Sequence, residues 1–266
     1  MSLIRLYVEQ SLTSGVAAEL SDGQAHYLRN VMRREEGDAL RLFNAVNGEF
    51  DATIIKLGKK GGVAMVGTCQ RQAEVTPDLW LLFAPVKRGP TELIVQKATE
   101  LGVSVMMPVQ TERTNGARLN LDRLSAIAIE AAEQCERLSV PSIHPLQKLD
   151  RVLSEWPKDR SLIFCDEAGD NPNEKWGGEN GRAQPALAAL SSDVMAKAGG
   201  QKEASAGIVI GPEGGFTSVE RAQLRAHPHV TPITLGPRIL RADTAAIAAI
   251  TLWQAALGDF RPSRAR

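Results

Sequence analysis

Ile208-Val209-Ile210-Gly211-Pro212-Glu213-Gly214-Gly215-Phe216 is the stretch on which the reading turns. Three β-branched residues run into a turn with three glycines, and Thr217-x-x-Glu220 behind it has the spacing of a capping box. The order is therefore buried strand, glycine-rich turn, helix. A strand with no polar alternation is covered on both faces, as in a parallel sheet between helices. Ligands of open α/β sheets bind beyond the carboxyl ends of strands, where this turn falls. Glycines there let main-chain groups approach a ligand, and Gly214 is expected to need a left-handed backbone that a branched residue resists. The turn has neither GxGxxG nor the GK[ST] of a phosphate loop, so dinucleotide and ATP readings lose their mechanical parts. A tight strand-to-helix connection with no ligand would have the same signature.

The alternation continues on either side. Leu79 to Ala84 is another continuous apolar run; Val103 to Val109, Ser161 to Asp166 and Ile233 to Leu235 read as further strands. Thr91 to Leu101 reads as a helix stopped by Gly102, and Leu121 to Leu138 as a long amphipathic helix closed by Pro141. A last apolar helix starts near Asp243. Residues 168–205, rich in Gly, Asn, Ala and Pro, read as a loose insertion holding one helix. Strand and helix alternation predicts a parallel α/β sheet. Residues 1–72 differ. Leu3 to Val8, Ala39 to Phe43, Phe50 to Leu57 and Val63 to Cys69 are short strands joined by Asn47-Gly48 and by the 58–62 turn, with a short helix over His26 to Arg33. Asn-Gly suits a hairpin whose two central residues both take positive φ, and the pattern suggests a small β-barrel. Arg71 to Asp78, which includes Pro77, is the expected linker.

The chain of 266 residues is 43% hydrophobic, enough for a substantial core. With 31 basic and 31 acidic residues it cannot hold nucleic acid by bulk charge, and 5% aromatics leave little for a base-stacking surface. Cys69, Cys135 and Cys165 form no CxxC pair, and the four histidines show no ligand spacing with acids, so no metal is expected. No stretch is apolar and long enough for a membrane span, and MSLIRLYVEQ does not resemble a signal peptide. The expectation is a soluble, cytoplasmic protein.

Leu235-Gly236-Pro237-Arg238-Ile239-Leu240-Arg241-Ala242-Asp243-Thr244-Ala245 is a second strand exit, with a rigid turn, two arginines and an Asp243-Thr244 pair able to cap a helix. Two such loops in one sheet make a shared pocket more plausible than either alone. Glu130, Glu133 and Arg137 share a helix face and read as a solvated, salt-bridged stripe. Arg29, Arg33 and Arg34, with Lys56, Lys59 and Lys60, form basic clusters that suit either a solvated surface or nucleic acid.

Taken together, VIGPEGGF at 209–216, LGPRILRADTA at 235–245, QKATELGV at 96–103, TERT at 111–114 and EQCER at 133–137 resemble the bacterial small-subunit ribosomal RNA (uracil-N3) methyltransferases, the RsmE family. The resemblance implies a PUA-like RNA-binding β-barrel over 1–72 and a SPOUT-type methyltransferase domain over 75–266, whose parallel sheet holds a trefoil knot. It implies S-adenosylmethionine as cofactor, 16S ribosomal RNA of the small subunit as substrate, methylation at N3 of a uridine, and a homodimer. Carried onto this chain, Arg241 and Glu213 become the catalytic candidates. Phe164, Cys165, Glu167, Gly211, Pro212, Gly214, Gly215, Leu235, Gly236, Ile239, Leu240, Thr244 and Ala245 become the cofactor wall. Arg29, Arg33, Arg34, Lys87, Arg88 and Arg113 become RNA contacts. Two positions depart from the family pattern: Asp243 stands where glutamate is usual, and Pro90 where a basic residue is usual. The competing readings are another SPOUT RNA methyltransferase, acting on a ribose hydroxyl or a different base, and a non-catalytic RNA-binding assembly factor.

Overall fold

The computed structural model describes residues 3–115, 119–167, 183–191 and 205–260. It divides into two compact units, Met1–Val75 with Ile129–Val140, and Thr76–Ala128 with Pro141–Arg266. The return of 129–140 to the first unit had no signal in the sequence pattern.

In the first unit, β1 (Arg5–Tyr7), β2 (Ala17–Leu20), β3 (Ala39–Asn44), β4 (Gly48–Leu57) and β5 (Gly62–Arg71) form one sheet in the order β1-β3-β4-β5-β2. Only the β1–β3 pair is parallel. Register shifts along β4 between Glu49 and Lys56 bend the sheet, as bulges do, and its inner face closes on Leu6, Leu20, Leu28, Leu40, Leu42, Ile54 and Val66. The β3–β4 turn differs from the expected hairpin. Gly48 has φ +91°, whereas Asn47 does not enter the left-handed region. Instead the Asn44 side chain accepts from the Val46 and Asn47 N–H groups at 3.0 and 2.7 Å and closes a longer turn. The expected helix over His26 to Arg33 is α1 (Asp22–His26), capped by Ser21, followed by a π-helical turn over Tyr27–Val31. Arg33 then leaves it with φ +53°.

The second unit is a parallel sheet of β6 (Leu79–Phe83), β7 (Val105–Gln110), β8 (Ser142–Ile143), β10 (Ser161–Cys165), β11 (Gln184–Pro185), β12 (Ala206–Ile210) and β13 (Val230–Thr234), ordered β11-β13-β10-β12-β6-β7-β8, with β9 (Gln147–Lys148) beside β7. The apolar runs are central: every residue of β12 is buried, as are Leu79, Leu81, Leu82 and Phe83. Its helices are α2 (Arg88–Glu100), α4 (Leu149–Ser154), α5 (Ala186–Ser191), α6 (Ser218–Ala226) and α7 (Ala242–Ala256), while α3 (Leu121–Gln134) starts in this unit and ends in the first. Of the 168–205 segment, 183–191 supply β11 and α5; residues 168–182 and 192–204 lie outside the described residues.

Two helix ends correct the sequence reading. α3 stops at Gln134, not Leu138, because Glu136 turns left-handed at φ +62°. α2 starts at Arg88, so Pro90 lies in its first turn, where a missing N–H costs no intrahelical bond.

Candidate active site

The strand order sets the site. β12 lies between β10 and β6, and β13 lies on the far side of β10, so the exits of four parallel strands open at one edge. Between them is a cavity of ≈ 460 Å³ lined by Lys87 after β6, Cys165 and Glu167 at the end of β10, Ile210 to Glu213 and Gly215 after β12, and Leu235, Arg238 to Ala242 and Ala245 after β13. That volume lies in the usual range for a small-molecule site.

The Gly211–Phe216 loop is held at several points. Gly215 has φ +67°, and a Cβ there would press on the Glu167 carboxylate. Glu167 Oε1 accepts from the Phe216 N–H at 3.0 Å, and the Gly215 N–H donates to the Pro212 carbonyl at 2.9 Å. The Phe216 ring folds back over Gly211, where a Cβ would meet it at 2.7 Å, and stacks edge-on against Phe164 with centroids 5.3 Å apart. Glu220 completes the capping box, accepting from the Thr217 N–H at 2.9 Å, and its other oxygen accepts from the Glu112 N–H at 2.8 Å. Asp166, with no exposed side-chain surface, pairs with Arg221 at 2.8 Å and Arg225 at 2.7 Å and ties the end of β10 to α6. Burial pushes the Cys165 thiol pKa up, and the neighbouring Glu167 and Asp166 charges push it further. At neutral pH the thiol is therefore protonated and supplies an uncharged wall, not a nucleophile.

Of the residues expected from sequence, Cys165, Glu167, Gly211, Pro212, Glu213, Gly215, Leu235, Ile239, Leu240, Arg241 and Ala245 line this one cavity. Phe164, Gly214, Gly236 and Thr244 do not. Phe164 is sealed in the core behind Phe216. Gly214 has neither a positive φ nor a crowded Cβ position, so the glycine requirement belongs to Gly215. The N-cap of α7 is Arg241 with no side-chain cap; Asp243 sits inside the first turn and accepts from the Thr244 N–H at 2.7 Å. Ile210, Arg238 and Ala242 line the cavity without having been singled out. For Arg238 the signal was present, since it lies between Gly236 and Arg241 in the strand-exit loop.

The expected RNA contacts scatter. Arg29 shares a depression of ≈ 250 Å³ in the first unit with His26, Asn30, Gly58 and Lys59. Arg33 is exposed, and Arg34 lies 3.9 Å from Asp38. Lys87 lines the cavity. Arg88 pairs with Glu92 at 2.7 Å, as Arg123 does at 2.5 Å; hydrogen bonds from Arg123 and then Arg88 bring the Glu92 pKa down to about 2. Arg113 donates to the Gly214 carbonyl at 2.8 Å. The Glu133 stripe is not simply solvated either: Glu133 Oε1 accepts from the Tyr7 N–H at 3.0 Å in the first unit. Among the described residues no group of three or more His, Cys, Asp or Glu could hold a metal, and no helix is long and apolar enough to cross a membrane.

The cavity fits S-adenosylmethionine. Leu235, Ile239, Leu240 and Ala245 give apolar walls for a purine, while Glu167, Lys87 and Arg238 suit a ligand carrying both signs of charge. A Cβ at Gly215 would collide with the Glu167 side chain, so glycine there keeps that charged part of the cavity wall in place. A parallel α/β unit of this kind, with a glycine-rich strand exit and a second, arginine-containing loop lining one cavity, has the architecture of a cofactor-binding α/β domain. The RNA methyltransferase domain family matches residues 74–254, and the RNA methyltransferase PUA domain family matches 20–64. The chain is 33% identical over 251 residues to the ribosomal RNA small subunit methyltransferase E of Rickettsia conorii, covering 94% of each, and 28% identical to that of Bacillus subtilis, covering 94% and 93%. The crystal structure of that enzyme from Neisseria gonorrhoeae bound to S-adenosyl methionine superposes with a TM-score of 0.75 at 26% identity, covering 98% of this chain and 100% of the other. This chain belongs to the ribosomal RNA small subunit methyltransferase E family.

Proposed function

We propose that the protein methylates N3 of a uridine in 16S ribosomal RNA, in the cytoplasm and as a homodimer, with Arg241 and Glu213 as its catalytic residues. Its cofactor is S-adenosylmethionine, and its substrate is the RNA of the small subunit. The observation that carries the residue assignment is the convergence of Glu213 and Arg241 from two different strand exits on the one cavity that Gly215 also lines.

When bound, the cofactor supplies an electrophilic methyl group on a sulfonium, and the sulfur–carbon bond breaks as the bond to N3 forms. Uracil N3 carries a proton at neutral pH, so the chain must remove it. The Glu213 carboxylate receives that proton. Arg241, permanently charged and offering several donors, faces the oxygen that becomes anionic as the proton leaves. Leu235, Ile239 and Leu240 would hold the apolar part of the cofactor, and such positioning supplies much of the acceleration of a simple displacement. Arg29 and Lys59 meet the RNA backbone as phosphate-binding cations.

The test is incubation with isotopically labelled S-adenosylmethionine and undermethylated small subunits, followed by digestion and nucleoside mass analysis. Label on 3-methyluridine is the expected result. Label on a ribose hydroxyl or another base would move the protein to a different reaction within the class, and absence of label with retained RNA binding would make it an assembly factor.

A further inference from the structure

Thr111-Glu112-Arg113-Thr114 is a motif the cavity does not absorb, since none of its residues lines it. Yet each of the four is spent on one purpose. Thr114 Oγ1 accepts from the Thr111 N–H at 2.9 Å and bonds Thr111 Oγ1 at 2.8 Å, while the Thr114 N–H returns to the Thr111 carbonyl at 3.1 Å. The turn is thereby closed on itself. The Glu112 N–H donates to buried Glu220, which also caps α6, so the closed turn is pinned to the helix that follows the Gly211–Phe216 loop. From that fixed position the Arg113 side chain runs along Gly214, its Cβ and Cδ 3.5 Å from where a Gly214 Cβ would be. Its guanidinium ends on the Gly214 carbonyl at 2.8 Å.

We infer that Arg113 is a positioning residue for the cofactor loop, and not an RNA contact. Its guanidinium holds the carbonyl of the peptide joining Gly214 to Gly215, while the N–H of that same peptide is held by Pro212. The next N–H, on Phe216, is held by Glu167. Glycine gives this loop access to φ +67° at Gly215, but that freedom costs order whenever the flanking peptides are loose. A loop fixed before the ligand arrives binds more tightly because less ordering remains to be done. Arg113 and Glu167 supply the two charged members of the set of bonds that fixes it, and Arg113 is the one outside the cavity lining. The inference rests on the cofactor reading above, although the loop geometry can be measured without cofactor.

Full-length wild type, Arg113→Ala and Arg113→Lys are compared by calorimetric titration with S-adenosylmethionine, by amide exchange over residues 211–216 without cofactor, and by the salt dependence of binding to a small-subunit RNA fragment. Arg113→Ala should raise the cofactor Kd roughly tenfold and speed exchange at Gly215 and Phe216. Arg113→Lys, which keeps a charged donor, should recover most of both, and it carries the test if the alanine variant fails to fold. The salt slope for RNA should stay at the wild-type value. Unchanged exchange at Gly215 and Phe216 in a folded Arg113→Ala overturns the positioning role. So does a salt slope lower by about one with unchanged cofactor affinity, which would return Arg113 to the RNA. Faster exchange in a protein whose wild type binds no S-adenosylmethionine would uphold the positioning role and sink the cofactor reading instead.

Discussion

Gly214 and Gly215 are neighbours of the same type, and only the structure separates them. Gly215 takes φ +67° with the Glu167 carboxylate where its Cβ would go; Gly214 does neither. Gly215→Ala should therefore lose cofactor binding and destabilise by about 1–2 kcal/mol, the usual cost of a left-handed non-glycine residue. Gly214→Ala should stay close to wild type in both. Cofactor titration and denaturant melts of the pair check this, and equal behaviour would reject the assignment. Arg241→Ala should act on rate. Lost stabilisation of a developing charge costs about a hundredfold or more, whereas the walls at Ile239 and Leu240 are untouched, so cofactor affinity should hardly move. Single-turnover methylation at saturating cofactor, set beside titration of the same variant, separates the two; a matching collapse in affinity would make Arg241 a binding residue.

At the scale of elements, the strands that build the site were legible because burial on both faces leaves an unbroken apolar run, as in Leu79 to Phe83 and Ala206 to Ile210. The cap on α6 was legible too, since Thr217 and Glu220 carry it within four residues. What stayed hidden depended on partners distant in sequence. Glu220 also holds the Glu112 N–H, and Glu133 serves Tyr7; no local pattern encodes either. The early end of α3 rests on one residue, Glu136, entering a conformation its side chain disfavours. Strand order, which gathers the exits after β6, β10, β12 and β13, is likewise absent from any local period. Because Glu220 serves two elements, Glu220→Ala should cost about 2 kcal/mol, more than the roughly 1 kcal/mol of a cap alone. Thermal or denaturant unfolding reads this directly, and a loss no larger than a cap's would mean the Glu112 bond contributes nothing.

Across the whole molecule the two units should answer to different perturbations. Neutralising Arg29 and Lys59 should lower the salt slope of RNA binding by about two and leave cofactor titration unchanged, because the cofactor cavity is built wholly from the second unit. An unaltered slope would return that depression to ordinary solvated surface. The first unit also carries its own acid sensitivity. Burial pushes the Glu49 carboxyl up, but the hydrogen bonds and charges of Arg5 and Arg41 outweigh it, leaving the pKa below its ordinary 4.5. A carboxyl whose folded pKa lies below its unfolded one stabilises above about pH 4.5 and loses that contribution as pH falls through the folded value. Melting of the first unit should therefore weaken below that pH. Glu49→Gln should cost about 2 kcal/mol or more at neutral pH and flatten the acid limb, since Arg5 loses its buried counter-charge.

Arg5 has a further dependence. Its guanidinium donates to the carbonyls of Ala132, Glu133 and Arg137, and Ala132 and Leu138 cover Phe43, all within one compact unit. On the ribosome, the five strands of that unit are synthesised well before the helix end that completes it. Domains generally fold as units during synthesis, the N-terminal one first. Here the sheet must wait with Phe43 uncovered and Arg5 short of acceptors until residue 140 has left the exit tunnel. A nascent chain arrested near residue 75 should accordingly be protease-sensitive and bound by holdase chaperones. Resistance should arrive only when arrest is moved beyond residue 140 by the length of the tunnel. Cutting the gene after the fifth strand would reproduce the arrested state permanently.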